Sequence, residues 1–410
     1  MAVELDRIPA QADRPGSPRL WLWLCLLLIF LLLACAGVAL FSEVNLRAQT
    51  AVVWGTALGG SFLGWCLICG MRVLYYLAQQ HSADGWDAAR VIDLDCKLSQ
   101  GRRHQQVLAV SVYTALRTEQ SDALLQVNAI LEGTTALKAQ PSRSDRGTVR
   151  HSRLPGGVNE NPERALLRIL KNLLNDLAVQ LQELPDDVEL ALSLEIDSPL
   201  REGRVGTVWR AALAESGVRQ TVSPITWSGL EAVDQWLDQR SDDQALLLLV
   251  SVVIAPDAPQ GTAETAVGLL LGNSGTQFAL LPVANLYRPE QARDASAGAL
   301  ARATQQALSW ASMQANSVER VWRSGIGQKY HAVVTSVMSD AELPLRADRN
   351  VHNLDALLGQ PGVAAPWVAI ALAAQTVQRG CGPQLILSGA RCADAPLWGT
   401  VLTPVPPLMT

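Results

Sequence analysis

Residues 223–254 read SPITWSGLEAVDQWLDQRSDDQALLLLVSVVI, and their pattern decides the fold class. Trp227–Leu237 reads as a helix. Ala245–Ile254 is a continuous apolar run of strand length, which suits a strand covered on both faces rather than one facing water. A helix feeding a buried strand is the unit of an α/β domain, and the alternation continues outward on both sides. Downstream, Thr265–Leu271 and Phe278–Ala284 read as strands. A helix over 297–323, a strand over 331–337, a helix over 364–379 and strands over 384–388 and 397–403 follow. The 364–379 helix closes on Arg379-Gly380, a basic last turn and a C′ glycine. Upstream, Val107–Tyr113 reads as a strand and Ser121–Glu132 as a helix stopped by Gly133. Asn161-Pro162 opens a helix with a cap and a first-turn proline, its apolar face being Leu166, Leu170, Leu173, Leu174, Leu177 and Leu181. Val188–Ile196 alternates with period two, and Arg204–Glu215 reads as a helix. The expectation is one α/β domain over 105–404 built from two similar halves, 105–273 and 274–404.

Residues 138–161 carry Lys138, Arg143, Arg146, Arg150 and Arg153 against Asp145 and Glu160. They read as a solvated, mobile loop, with contact to anionic lipid headgroups as the sharper alternative.

The N-terminal part is different in kind. Leu20–Phe41 and Thr50–Met71 are uncharged, and each is long enough to cross the roughly 30 Å hydrocarbon core as a helix. Trp21 and Trp23 begin the first and Tyr75 and Tyr76 follow the second, as interfacial aromatics do. The first apolar run exceeds a signal peptide's core and a second span follows directly, so a helical hairpin is the reading for 20–77. The tail 1–19 holds Arg7, Arg14 and Arg19, and Arg72, Arg90, Lys97, Arg102 and Arg103 follow the second span, whereas the Ser42–Gln49 loop holds only Arg47. Both flanks are therefore expected in the cytoplasm. Residues 78–104 read as a polar connector with some helical character. Gly55, Gly59, Gly60 and Gly64 line the second span at four-residue spacings; packing of the two spans on each other is expected, with association of two chains as the alternative.

Composition excludes several functions. A net charge of −5 over 410 residues argues against a dedicated nucleic-acid binder. Four of the seven cysteines (Cys25, Cys35, Cys66 and Cys69) fall in the spans, and Cys96, Cys381 and Cys392 belong to the cytoplasmic part, where disulfides rarely persist. Cys66-Leu-Ile-Cys69 has redox spacing but lies in lipid and reads as apolar filler. His81, His104, His151, His331 and His352 show no metal-ligand spacing. No metal and no cofactor is expected.

Three stretches resemble the thiolase and β-ketoacyl synthase superfamily. Residues 107–138, VLAVSVYTALRTEQSDALLQVNAILEGTTALK, are similar to its opening strand, turn and helix. Residues 223–254, with GTAETAVGLLLGN at 261–273, are similar to its nucleophile segment, A-C-x-S-G at a helix start. Residues 352–384, HNLDALLGQPGVAAPWVAIALAAQTVQRGCGPQ, are similar to its G-H-T-x-x-A-A-G turn and the helix behind it. The resemblance implies a duplicated, thiolase-like layered fold. It places the Cys nucleophile on Thr226, beside Ser228 and Gly229, and the His of G-H-T on Gln360, after Gly359. The family's second His, in an H-G-T-G-T stretch, is expected near Val334–Ser339, where nothing equivalent stands. A Thr hydroxyl needs a strong base and Gln cannot shuttle protons, so no catalytic residue is expected; His352 is the remaining candidate for a vestigial pocket with Ser228, Gly229 and Gly359.

The implied function is a pseudoenzyme anchored in the bacterial inner membrane and working as a binding or adaptor module. Its partners would be the membrane and a protein, with a homodimer or heterodimer formed through the thiolase-like domain. The alternatives are an acyl-CoA or acyl-carrier-dependent acyltransferase using Thr226 with His352, and an acyl-ligand sensor. The layout, with LWGTVLTPVPP at 397–407, also resembles uncharacterised inner-membrane proteins of type VI secretion neighbourhoods. The topology is testable directly: a reporter active only outside the cytoplasm should be silent when fused after Thr410 and active within Ser42–Gln49. Activity after Thr410 would reverse the orientation.

Overall fold

A computed structural model describes residues 3, 7–41, 50–117, 123–143, 147–157, 160–274, 280–294, 296–327, 330–340, 350–389 and 396–406. The Ser42–Gln49 loop with Arg47, Ser121, Asp145, Arg146, Phe278, Cys392 and Pro407 lie outside them. The chain divides into two compact units, Glu4–Lys97 and Leu98–Thr410 with Met1–Val3.

In the first unit, α1 (Leu20–Phe41) and α2 (Thr50–Gly101) are long and apolar enough to cross a membrane, by length and composition. Trp65 donates its indole N–H to the Trp23 carbonyl at 2.9 Å, and Gly64 faces Phe30. Gly55, Gly59 and Gly60 face open space, so only one of the four glycines serves the packing of α1 on α2. The polar connector is not a separate element: α2 continues as one helix to Gly101. The N-terminal tail runs along this extension. Asp87 accepts from the Ala12 N–H at 3.0 Å, Arg90 donates to the Pro9 carbonyl at 2.8 Å, and Arg14 pairs with Asp84 at 3.4 Å. The tail and the α2 extension therefore lie on the same side of the two apolar segments.

The second unit contains β1 (His104–Tyr113), α3 (Ala123–Leu131), the hairpin β2 (Lys138–Pro141) and β3 (Thr148–His151), and α4 (Pro162–Leu181). Then come β4 (Leu190–Asp197), α5 (Glu202–Glu215), β5 (Val222–Pro224), α6 (Gly229–Gln239), β6 (Leu246–Val253) and β7 (Thr265–Asn273). The rest is β8 (Ala284–Tyr287), β9 (Glu290–Gln291), α7 (Ala297–Trp310), β10 (Arg320–Ser324), α8 (His331–Asp340), β11 (Val351–Asn353), α9 (Leu354–Leu357), α10 (Ala365–Gln378), β12 (Gln384–Ser388) and β13 (Trp398–Thr403).

The strand order is β11-β10-β12-β13-β8-β1-β7-β6-β4-β5. Leaving out the two-residue β9 and numbering five strands within each half, both halves have the order 3-2-4-5-1. In both, the fifth strand runs antiparallel to the other four. The first strands of the halves meet antiparallel, His104–Val107 against Ala284–Tyr287. This is a duplication about a local two-fold. Helices α6 and α10 lie between the two halves of this sheet in one shared apolar cluster, while α4 and α5 cover the outer face of its first half and α7 and α8 that of its second. Every residue of α10 from Ala365 to Val377 is buried, and its alanines suit the space between the two halves. The α4 face Leu166, Leu170, Leu173, Leu174, Leu177 and Leu181 is buried as its spacing requires, with Asn161 capping the Glu163 N–H.

Four expectations are corrected. Residues 331–337 belong to helix α8, not a strand: Val334 and Val337, three apart, pack into the core against α7, and Thr335 bonds back to the His331 carbonyl. The helix over 297–323 stops at Trp310; Ser312 turns with φ +53° and the chain becomes strand β10. The strand expected over 278–284 instead occupies Ala284–Tyr287. The segment expected as a loop over 138–161 holds the β2–β3 hairpin, and the buried Arg143 side chain within it pairs with Glu160 and with Glu264, each at 3.1 Å. Leu248, fully buried on β6 among Leu192 and Leu270, gives a test of the layering. Leu248→Asp places a lone charge there at a cost of several kcal/mol, comparable to a domain's whole stability. Soluble protein with an unchanged melting temperature would contradict it.

Candidate functional site

The candidate site lies where strands β4, β6, β10 and β12 end and helices α6 and α10 begin. In open α/β sheets such carboxyl ends are where ligands are held. After β5, Thr226 and Ser228 are exposed and the chain turns into α6 at Gly229, whose φ is +58°. Ser228 occupies the N-cap position but its hydroxyl makes no cap bond. The Gly229 N–H is instead taken by the Glu195 carboxylate from the end of β4, at 2.5 Å. The other Glu195 oxygen accepts from the Trp367 indole on α10 at 3.1 Å. One carboxyl group thus joins the first turns of both central helices. Burial pushes its pKa up, against the pull of these two donors. Ser193 and Ser251 stand on the same face beside it: Ser193 is two residues back on β4, and Ser251 is the register partner of Glu195 on β6.

Gln360 is held by its main chain. Its N–H donates to Gly261 and its carbonyl accepts from Ala263, both at 2.9 Å, and Thr262 bridges to it. Gly359 has φ +96°, and a Cβ there would lie 2.6 Å from the Thr262 carbonyl oxygen, so only glycine fits. Ala263 in turn bridges to Ser152, which ties the β2–β3 hairpin to this turn. Glu264, buried next to it, accepts from Ala255 N–H at 3.1 Å and holds Ala255 at φ +49°.

His352 lies on β11, its ring 4.7 Å from the Trp322 ring and its Nε2 3.2 Å from Arg320 Nη1. Burial and then Arg320 push its pKa down to about 4, so it is neutral near pH 7. Thr226 follows β5 and His352 sits on β11, the two extremes of the strand order. No hydrogen bond or ring contact joins them among the described residues. Val334–Ser339, where the resemblance places the family's second His, lies on helix α8. The segment Ser324-Gly325-Ile326-Gly327 follows at the end of β10. The Ser324 and Ser388 hydroxyls are buried register partners that have no hydrogen-bond partner among the described residues. Asp355 accepts from the Gly325 and Ile326 N–H groups at 2.7 and 2.8 Å, and burial pushes it up to about 6.

Sequence reasoning missed Glu195, Trp367, Ser324 and Asp355. In VELALSLEI, period two makes Glu195 a solvent-side residue only if one face of β4 is wet, and both are covered. Among the described residues no cluster of three or more His, Cys, Asp or Glu has metal-binding geometry.

No protein-family model matches the chain, and no curated protein does. Solved structures do. The ketosynthase from module 6 of the bacillaene synthase of Bacillus subtilis 168 superposes with a TM-score of 0.54 at 12% identity, over 74% of this chain and 72% of that one. The ishigamide ketosynthase/chain length factor gives 0.50 at 16% identity, over 74% and 99%. The chain spans 43% of the PfaC keto synthase-chain length factor, with a TM-score of 0.49 at 11% identity. The second unit therefore has the thiolase-like ketosynthase fold, and identity this low establishes the fold alone.

Glu195→Ala leaves the Gly229 and Trp367 N–H groups without their acceptor. It should lower stability by about 1–3 kcal/mol, read from denaturant unfolding of the full chain. No measurable loss would mean that the carboxylate does not bind the two helices together.

Proposed function

We propose that this chain is a membrane-anchored, ketosynthase-like binding or adaptor module that does not catalyse condensation. The observation that carries the reading is the Glu195 carboxylate seated on the first amide of α6. In the resemblance on which the site is aligned, the nucleophile stands at the start of this helix. A thiolate or developing oxyanion draws on the positive helix end and on free N–H donors, and a carboxylate already occupying them opposes both. Thr226 and Gln360 support the same conclusion, since neither is a thiolate or a proton shuttle. The two long apolar helices support an inner-membrane location, and the contact of the N-terminal tail with the α2 extension supports a hairpin with both flanks on one side. A tethered module raises the effective concentration of its partner at the membrane. The resemblance in layout to proteins of type VI secretion neighbourhoods makes a component of such a system the first partner class to test, and a second thiolase-like chain the second.

A narrower reading, an acyl-ligand sensor, is favoured by one feature: the buried hydroxyls of Ser324 and Ser388 at the strand ends, unpartnered among the described residues. Incubating the full chain with acyl-CoA and acyl-carrier protein separates the readings. Intact mass should show no acyl adduct, Thr226→Ala and Gln360→Ala should retain biological function, and removal of residues 1–77 should abolish it. An adduct on Thr226 would replace the adaptor reading with the acyltransferase one; an acyl ligand retained without a covalent bond would favour the sensor.

A further inference from the structure

The α1–α2 hairpin carries two arginines where its apolar segments end. Arg72 directly follows the uncharged run that closes at Met71, and Arg19 directly precedes α1. The tail and α1 run antiparallel to α2: Trp65 bonds to Trp23, and further along Arg14 pairs with Asp84 and Arg90 bonds to Pro9. Arg72 lies seven residues beyond Trp65, close to two full turns. It therefore stands on the face of α2 that meets α1, about 10 Å along from the Trp65 bond. Arg19 lies four residues before Trp23, about 6 Å along in the same direction. The two arginines thus sit at nearly one depth, beside the α1–α2 contact.

Neither arginine forms an ion pair among the described residues. Arg72 is half-buried, its Nη1 has no hydrogen-bond partner there, and its guanidinium lies 5.7 Å from the centre of the Tyr75 ring. The Tyr75 oxygen accepts from the Gln79 side chain at 2.8 Å, which leaves its own O–H to donate. Arg19 is exposed. The cations further from the apolar segments are answered within the chain: Arg14 by Asp84 and Asp87, at 3.4 and 3.7 Å, and Arg90 by the Pro9 carbonyl at 2.8 Å. Asp84, the first acid on α2 past Met71, is twelve residues beyond Arg72, about 18 Å along the helix. On the tail, Asp13 is six residues before Arg19. The depth of Arg19 and Arg72 is where the hydrocarbon core gives way to headgroups, and the anion abundant there is the lipid phosphate. A guanidinium edge takes a phosphate through paired N–H bonds.

We propose that Arg72, with the Tyr75 hydroxyl and Arg19, forms a binding site for the phosphate of an anionic phospholipid at the end of the α1–α2 hairpin. Two cations without a local acid select an anionic lipid over a zwitterionic one, whose own ammonium group they repel. The inference rests on the reading of α1 and α2 as a membrane anchor, and none of its residues belongs to the candidate site.

Quenching of tryptophan fluorescence by lipids with brominated chains, on the full chain reconstituted into phosphatidylcholine vesicles, tests it. Such lipids reach Trp21, Trp23, Trp54 and Trp65 only if the two helices lie in the bilayer. Brominated phosphatidylcholine should quench; if it does not, the anchor reading fails and the site with it. Brominated phosphatidylglycerol mixed into unbrominated phosphatidylcholine should quench beyond its mole fraction, with a relative affinity of about fivefold. Arg72→Gln and Arg19→Gln should each reduce that preference, and Arg90→Gln should keep it. Equal quenching by the two brominated lipids in the unmodified chain overturns the site while leaving the anchor in place. So does a preference that survives both Arg72→Gln and Arg19→Gln, or one lost equally in Arg90→Gln, which marks diffuse surface charge. Loss of the preference on adding millimolar inorganic phosphate at matched ionic strength would assign the arginines to a free anion and overturn the lipid site as well.

Discussion

The two halves of one continuous sheet share a single layer of two helices, α6 and α10, and the rest of the domain follows from that constraint. Stacked layers sit about 10 Å from one another, so a helix with a sheet on each side has no face left for water. The sequence APWVAIALAAQTVQ answers with small side chains and one large anchor, Trp367. Because the inner faces of both halves are spent on this layer, the outer faces need helices of their own, which α4, α5, α7 and α8 supply. Strand β6 is accordingly apolar without alternation.

Polar groups caught in such a layer must find partners inside it. Trp322 donates to Gln384, which exchanges bonds with Thr376 of α10, and Trp236 of α6 donates to Asn273. Glu195 is the charged member of this set. Its place on the first amide of α6 is favourable for the fold, since a carboxylate complements the positive end of a helix. The same placement is unfavourable for nucleophilic chemistry at that helix start. Packing and electrostatics thus commit this one side chain to joining the starts of α6 and α10.

Burial on both faces also explains what could be read along the chain and what could not. Helix α4 was legible because one stripe is apolar and Asn161-Pro162 marks its start. Strand β6 and helix α10 were legible as continuous apolar runs of distinct length. The segment HAVVTSVMSD misled, because β-branched residues favour strands in general while Val334 and Val337 here point one helical face at α7. The basic segment around Arg143 misled in another way: Glu160 and Glu264 compensate its charge, and Glu264 is 121 residues distant in the chain.

The sequence by itself determined the elements whose cause is local: two apolar segments of membrane-spanning length, the amphipathic and the wholly apolar helices, and the buried strands. Periodicity, capping and residue chemistry act over a few residues, so a single chain displays them. Only the tertiary structure decided the common 3-2-4-5-1 order of the halves, the insertion of Glu195 between α6 and α10, and the gathering of Asp234 and Asp238 around the buried Arg288. Those depend on contacts between residues far apart in sequence, and a carboxylate's environment, which sets whether it caps, pairs or titrates, exists only once the layers have closed around it.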